Sequence, residues 1–407
     1  MSILAKLEGY LTSELVDVRR KAVTALGEIK SENGVTYLMD ALHDEDSIVR
    51  ATAVFSLGEI GSERAVEQLT PFLQEADTNL RSGTAVALGK IGSIKAEDAL
   101  IRALNDSDAY VRSCVASALA KIGSEKAEKL LVKILREAEE PDSRRKAITA
   151  LKEVRSDRVR QAIFEALDDP DESVRNCAAV AIGEMGVRSA ETKLLTLLDK
   201  ESLDTQISVI FALGEIGSQK AVDVIIPFLR TSHQELAQQA AAALGKIASD
   251  KALRELVAML QNGAPWLKWS IVEALGETHR EDVVEHLVAL IMHPDKDVRW
   301  SVARSLGVIH SPECLDPLLK MLQDPNSDVR SMAIVSLGNL GFPEALEALV
   351  KLLTDRDSTV ADSAAVALAE IGTAQTVERL FALLPTLNPA LAETVQRTID
   401  DIQARLQ

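Results

Sequence analysis

Aromatic residues are scarce in this chain, at 3% of 407 residues, against 47% hydrophobic residues overall. A sheet sandwich filled by rings is therefore a poor fit, and close helix-on-helix packing by Leu and Ala a good one. Cysteine is scarcer still. Cys114, Cys177 and Cys314 are an odd number at scattered positions with no CxxC pair, so neither a disulfide framework nor a thiolate metal site is expected, and the three read as reduced core thiols. Positive charge is in deficit, with 45 Lys and Arg against 62 Asp and Glu and a net charge of -17, a field that repels phosphate backbones; no nucleic acid partner is expected. No apolar run approaches the roughly 20 residues of a membrane-spanning helix, and the expectation is a cytoplasmic protein with no membrane contact.

What the chain has in abundance is one motif. Leu-Gly recurs with its glycine at Gly27, Gly58, Gly89, Gly214, Gly245, Gly276, Gly307 and Gly338, in steps of 31 residues wherever neighbours are both present. Gly183 follows Ile182, and Ala120, Lys152 and Ala369 occupy the same place after a leucine, with one inserted residue before Lys152. About twelve repeats result, each too small to bury a core alone and stable only against its neighbours. This allows one array across residues 1–407, where an ordinary single core would stop growing at roughly 250 to 300 residues.

Counting from that glycine, apolar residues fall at offsets -9, -5, -2, -1 and +2, as in Val298, Val302, Ser305, Leu306 and Ile309. That spacing marks one buried helix face. A preceding helix carries its own stripe, for example Ala65, Val66, Leu69, Phe72 and Leu73. Short Asp- and Ser-rich connections such as DEDSIV and QDPNSDV supply helix caps. Each repeat is thus a helical hairpin. Residues 1–14 read as an N-terminal capping helix and 390–407 as a C-terminal one.

The D-x-x-V-R lead into A-x-x-A-L-G-x-I-G resembles the HEAT-like repeat family, in particular its short subtype named after phycobilisome lyases. The resemblance implies an all-α fold, a right-handed α-solenoid of about twelve HEAT-like hairpins with second helices lining a concave surface. It implies little about function, because the matching residues are those any such solenoid packs with. Arginines at offset -8 (Arg19, Arg50, Arg81, Arg112, Arg144, Arg175, Arg299, Arg330) form a ladder. Its guanidinium forks are expected to bond carbonyls or acids between repeats, such as the offset -10 aspartates Asp17, Asp142, Asp297 and Asp328.

Function is sought where repeats depart from their own consensus. All three tryptophans, Trp266, Trp269 and Trp300, lie in the ninth and tenth repeats, with Trp269 and Trp300 sharing offset -7. The same repeats carry Glu273 and Arg304 at offset -3, and His279 and His310 at offset +3, where most others have glycine. Together these seven are the candidate groove for a ligand or protein partner. A second departure is the fifth repeat, a basic island with Arg144, Arg145, Lys146, Lys152 and Arg155, a candidate patch for an anion or an acidic partner and otherwise a solvated face. The third is the loss of the arginine ladder at Gln206, Ala237 and Lys268.

Phosphate loops, nucleophile elbows and zinc motifs are absent from the sequence. No histidine precedes a glutamate, which sets the chain apart from HEAT-like diiron hydroxylases. The expectation is a non-catalytic scaffold gripping a protein partner in its concave groove, without cofactor. The resemblance implies one alternative, a phycobilin lyase or bilin chaperone, in which Trp269, Trp300, Glu273, Arg304, His279 and His310 would handle a linear tetrapyrrole.

Overall fold

A computed structural model describes residues 3–199, 202–387 and 389–406. The described residues form 26 α-helices joined by short turns and 3-10 segments, without strands. They divide into two compact units, Met1–Lys193 and Leu194–Gln407. No helix is long and apolar enough to cross a membrane.

In the first unit an opening helix, Ile3–Leu11, is followed by hairpins whose second helices are Val16–Ile29, Ser47–Ile60, Thr78–Ile91, Ala109–Ile122, Pro141–Leu151 and Glu172–Glu184. In the second unit they are Leu203–Glu215, Gln234–Ile247, Lys268–Gly276, Lys296–Ile309, Ser327–Leu340 and Ser358–Ile371, closed by Pro389–Leu406. Most first helices are shorter and lead in through a 3-10 turn, as in Glu63–Ala65 before Val66–Leu69, whereas Glu125–Glu137 and Asp250–Asn262 start directly and run longer than the second helices that follow. The caps are those the connections predict. Asp46, Asp108, Asp171 and Asn326 each accept a backbone N–H of the first helical turn.

Within each unit, successive second helices pack directly on one another. Glycine sets their distance. A Cβ built on Gly58 or Gly89 would lie 2.8 Å from the Cα of Ala87 or Ala118, and one on Gly214 would lie 2.8 Å from the Cα of Ala243. In each case the neighbour is the offset -2 residue of the next second helix, which is Ala or Ser. At two of the serines the hydroxyl bonds back across the contact, Ser305 Oγ to the Val272 carbonyl at 3.0 Å and Ser336 Oγ to the Ala303 carbonyl at 2.9 Å. The buried face is also wider than the sequence stripe. Val23, Val54, Ile210, Val272 and Ile334, all at offset -4, are at most 1% exposed, because a second helix meets its own first helix and both neighbouring second helices.

The arginine ladder is structural, but its acidic partners differ from the expected ones. All eight guanidiniums donate to the carbonyl six residues earlier, at 2.7 to 2.9 Å, tying each second helix to the loop that enters it. Five also reach forward to an aspartate of the next repeat at offset -14: Arg19 to Asp44 at 2.7 Å, Arg81 to Asp106 at 2.7 Å, Arg144 to Asp169 at 2.8 Å, Arg299 to Asp324 at 2.6 Å and Arg330 to Asp355 at 2.7 Å. The offset -10 aspartates lie in the first turn of their own helices, and two of them pair elsewhere, Asp142 with Arg145 and Lys146 and Asp328 with Lys296. Each offset -14 aspartate also accepts the backbone N–H two residues on, so one carboxylate fixes its own turn and clasps the preceding repeat.

Sequence follows this geometry. Where offset -8 is Gln206, Ala237 or Lys268, the forward position is Thr231, Asn262 or His293 and both members are absent, whereas Arg50 and Arg112 keep their carbonyl bonds with Glu75 and Ala138 at the forward positions. Gln206 keeps only the backward reach, its Nε2 donating to the Leu198 carbonyl at 3.3 Å.

Two outcomes follow for stability. Gly89→Ala favours helix by about 1 kcal/mol yet pushes Cβ into the Ala118 backbone, and overpacking costs roughly 1–3 kcal/mol. Gly83→Ala lies in the same helix with nothing within 4 Å of the added carbon. Denaturant unfolding should show Gly83→Ala stabilised by about 0.5–1 kcal/mol and Gly89→Ala destabilised; equal shifts would refute the close-contact account.

The second outcome concerns pH. Burial pushes the Asp44, Asp324 and Asp355 carboxyls up, but the hydrogen bond from Arg19, Arg299 or Arg330 and a backbone N–H together outweigh it and hold them below the ordinary range. For Asp106 the Arg81 hydrogen bond is the largest influence and acts in the same direction. A lowered folded-state value gives stability that is present above the unfolded value of about 3.9 and lost as pH falls through the folded one. The thermal midpoint should hold or rise from pH 7 to 5, as the net negative charge diminishes, then fall steeply below about pH 4. A steep fall between pH 7 and 5 would contradict this linkage.

Candidate functional site

With the consensus residues turned inward or engaged in turns, the exposed side of the second helices is the surface left to vary. In the second unit it carries the candidate groove residues. Trp269, on Lys268–Gly276, is 38% exposed. Trp300, on Lys296–Ile309, is half-buried, as is Trp266 in the 3-10 turn Pro265–Leu267. Among the described residues none of the three rings stacks on another.

Glu273 and Arg304 are brought together. Arg304 Nη1 lies 3.4 Å from Glu273 and Nη2 lies 3.6 Å from Glu277, so one guanidinium bridges two carboxylates of the preceding second helix. Burial pushes the Glu273 carboxyl up, Arg304 opposes it and Glu277 adds to it.

The histidines have a backbone role. His279 and His310 have φ of 51° and 57°, in the left-handed region, at the place where other hairpins put Gly61, Gly92, Gly123, Gly217 and Gly341. Both rings point at one atom. His279 Nδ1 donates to the Val308 carbonyl at 3.0 Å and His310 Nδ1 donates to the same oxygen at 2.9 Å, which leaves each Nε2 outward. Neither histidine contacts Glu273 or Arg304 through any hydrogen bond among the described residues.

Two cavities lie beyond Trp300. One, of about 360 Å³, is lined by Trp300, Lys296, Asp297, Asp328, Met332 and Val335 among others. The next, of about 340 Å³, is lined by Val335, Thr359, Asp362, Val366 and Glu370 among others. Val335 and Thr359 line both. Their continuation onto the eleventh and twelfth repeats was not legible in sequence, because single valines at offset -3 carry no pattern of their own.

In the first unit the basic island is largely paired. Arg144 is buried on Asp169, Arg145 and Lys146 share Asp142, and Lys152 meets Glu184 at 2.9 Å. Arg155 is exposed and makes no ion pair among the described residues. A feature the sequence reading missed is a repeated surface cluster, present once in each unit. Lys90 Nζ lies 4.8 Å from the exposed Phe55 ring and pairs with Glu59; Lys246 Nζ lies 5.5 Å from the Phe211 ring and pairs with Glu215. The signal was present as phenylalanine at offset -3 in F-x-L-G-E-I-G-S, which occurs only in these two repeats. Cys114 and Cys314 are buried and Cys177 is half-buried, and burial pushes all three thiols up, away from reactivity.

Within each unit a stack of helical hairpins, joined at many steps by glycine contacts or Arg–Asp ties, with variable residues on one exposed helix row, defines an α-solenoid. The family model for HEAT repeats matches residues 4–83, 66–139, 128–205, 191–276, 253–331 and 315–396, and the chain belongs to that family. Among solved structures it is similar to yeast importin-beta (Kap95p), with 14% identity over 99% of this chain and 67% of that one and a TM-score of 0.57. It is also similar to a Kap121p mutant, with 14% identity over 95% of this chain and a TM-score of 0.50, and it spans about half, 51%, of that protein's length. At such identity the likeness is one of fold. No curated protein matches the sequence.

Because a non-glycine residue in the left-handed region costs roughly 1–2 kcal/mol, partly offset here by the Nδ1 bonds, His279→Gly and His310→Gly should each leave stability unchanged or raise it by up to about 1 kcal/mol. Thermal melts check this; a loss of more than 1 kcal/mol would show that the imidazole–Val308 bonds outweigh the backbone cost.

Proposed function

We propose that the chain is a non-catalytic scaffold that holds a segment of a protein partner against the exposed row of second helices in Leu194–Gln407. The observation that carries this is the open apolar strip of Trp300, Met332, Val335 and Val366, lined by the two adjoining cavities. Isolated exposed apolar residues are ordinary, but a contiguous, polar-rimmed strip is characteristic of an interaction surface. Trp269 and Trp300 serve as its aromatic anchors, since Trp supplies large contact area at little conformational cost. The concave disposition of this row, the cytoplasmic setting and the membership of the short phycobilisome-lyase subtype belong to the same reading and rest on the 31-residue frame.

Bilin handling would use the same face. Glu273 and Arg304 neutralise one another, and both imidazole Nδ1 atoms are committed to the Val308 carbonyl. Fewer free groups are therefore left for pyrrole nitrogens and a propionate, and a peptide is the better match.

The test is affinity capture with mass spectrometry on the parent and a Trp269→Ala/Trp300→Ala variant, alongside thermal melts. The expected result is a partner retained by the parent and lost by a variant that still melts cooperatively, with the exposed Trp269 substitution costing no more than about 1 kcal/mol and the half-buried Trp300 substitution more. Lost stability with intact capture would overturn the groove and return the rings to a packing role.

A further inference from the structure

The charge around the strip is lopsided. The two cavities over Lys296–Ile309, Ser327–Leu340 and Ser358–Ile371 are lined by four carboxylates, Asp297, Asp328, Asp362 and Glu370, and by one cation, Lys296. Lys296 is engaged by Asp328 at 3.4 Å. Asp297, Asp362 and Glu370 are exposed and make no ion pair among the described residues. Elsewhere on this chain acidic residues are commonly paired across repeats, as Glu59 is with Lys30 and Lys90, and Glu215 with Lys246. The trough thus combines an apolar floor, with Val335 42% and Val366 62% exposed, and a rim of unmatched negative charge.

An acidic rim on a chain of net charge -17 repels acidic partners and draws cationic ones, and charges around an apolar centre select partner and orientation. We infer that this trough takes a short cationic amphipathic segment of a protein, its apolar side chains on Trp300, Met332, Val335 and Val366 and its Lys or Arg side chains on Asp297, Asp362 and Glu370. The inference rests on the scaffold reading and names the chemistry of its partner. Three neighbouring helices at roughly 10 Å spacing give a trough of about 20 Å, the length of about 13 residues of α-helix at 1.5 Å per residue. The rim charges are exposed, so their share of binding is screened by salt, with a Debye length of about 8 Å at physiological ionic strength.

The test uses the full chain and three fluorescent 14-residue probes read by anisotropy. The first places Leu at helical a/d spacing with Lys elsewhere, the second replaces every Lys by Glu, and the third keeps Lys but replaces Leu by Ser. The expected result is binding of the Leu/Lys probe at least tenfold tighter than either other probe at low salt, weakening severalfold by about 0.5 M salt. In an Asp362→Lys/Glu370→Lys variant, which changes only exposed side chains and is checked for an unaltered melt, Leu/Lys affinity should fall at least tenfold. Equal binding of the Lys and Glu probes overturns the inference. So does Leu/Lys binding that the double reversal leaves unchanged, which would assign it to the general charge of the chain, and so does equal binding of the Ser/Lys probe. A parent chain that still retains a partner in affinity capture while failing these tests leaves the scaffold reading standing and removes this one.

Discussion

The approach of each second helix to the next, through a glycine on one side and an alanine or serine on the other, is the constraint on which the rest of this structure depends. A Cβ on Gly276 would lie 2.6 Å from the Ser305 Cβ, closer than side-chain carbons can come. Once that spacing is fixed, the offset -5, -4 and -1 residues meet at core density, and the first helices are drawn over them. Packing density, not hydrophobicity alone, then explains why Ala and Gly are used so freely on a face that larger residues would overfill.

The Arg–Asp tie works at the other end of the hairpin. Side chains nearly sealed from water carry both charges, Arg299 and Asp324 at 10% and 4% exposure, and each nitrogen of the fork is met by a carboxylate or a carbonyl. Such a pair contributes uncertain net stability, but losing one partner is costly, because it strands a buried charge. The asymmetry runs one way: among the described residues no buried aspartate is left without its arginine, whereas Arg50 and Arg112 dispense with the aspartate and hold their carbonyls.

The fold was legible because packing imposes an arithmetic: Leu-Gly every 31 residues, a capping Asp or Asn before most second helices, an apolar stripe between. The guanidinium's acidic partner was not legible. Aspartate recurs at offset -14 in some repeats and at offset -10 in others, with Asp324 and Asp328 together in one, and which of the two faces the preceding repeat depends on how hairpins stack. Of the candidate site, the shared offset of Trp269 and Trp300 was readable and the Glu273–Arg304 pairing follows from their shared offset on adjacent helices. The histidines are different. Their +3 position is the left-handed helix end, and the glycines in other repeats announced this, so the same signal that singled them out also supplied their backbone explanation. Val335 and Val366 became visible only as neighbours in space, since exposure of one valine per repeat leaves no trace in a periodic pattern.

A single division of labour underlies these points, with the consensus residues spent on spacing and clasping and the exposed row of second helices free to recognise. Hydrogen exchange on the chain with and without its captured partner tests that division most directly. The account predicts new protection across 296–309, 327–340 and 358–371, with first helices 315–321 and 346–352 unchanged; protection confined to the first helices would contradict it.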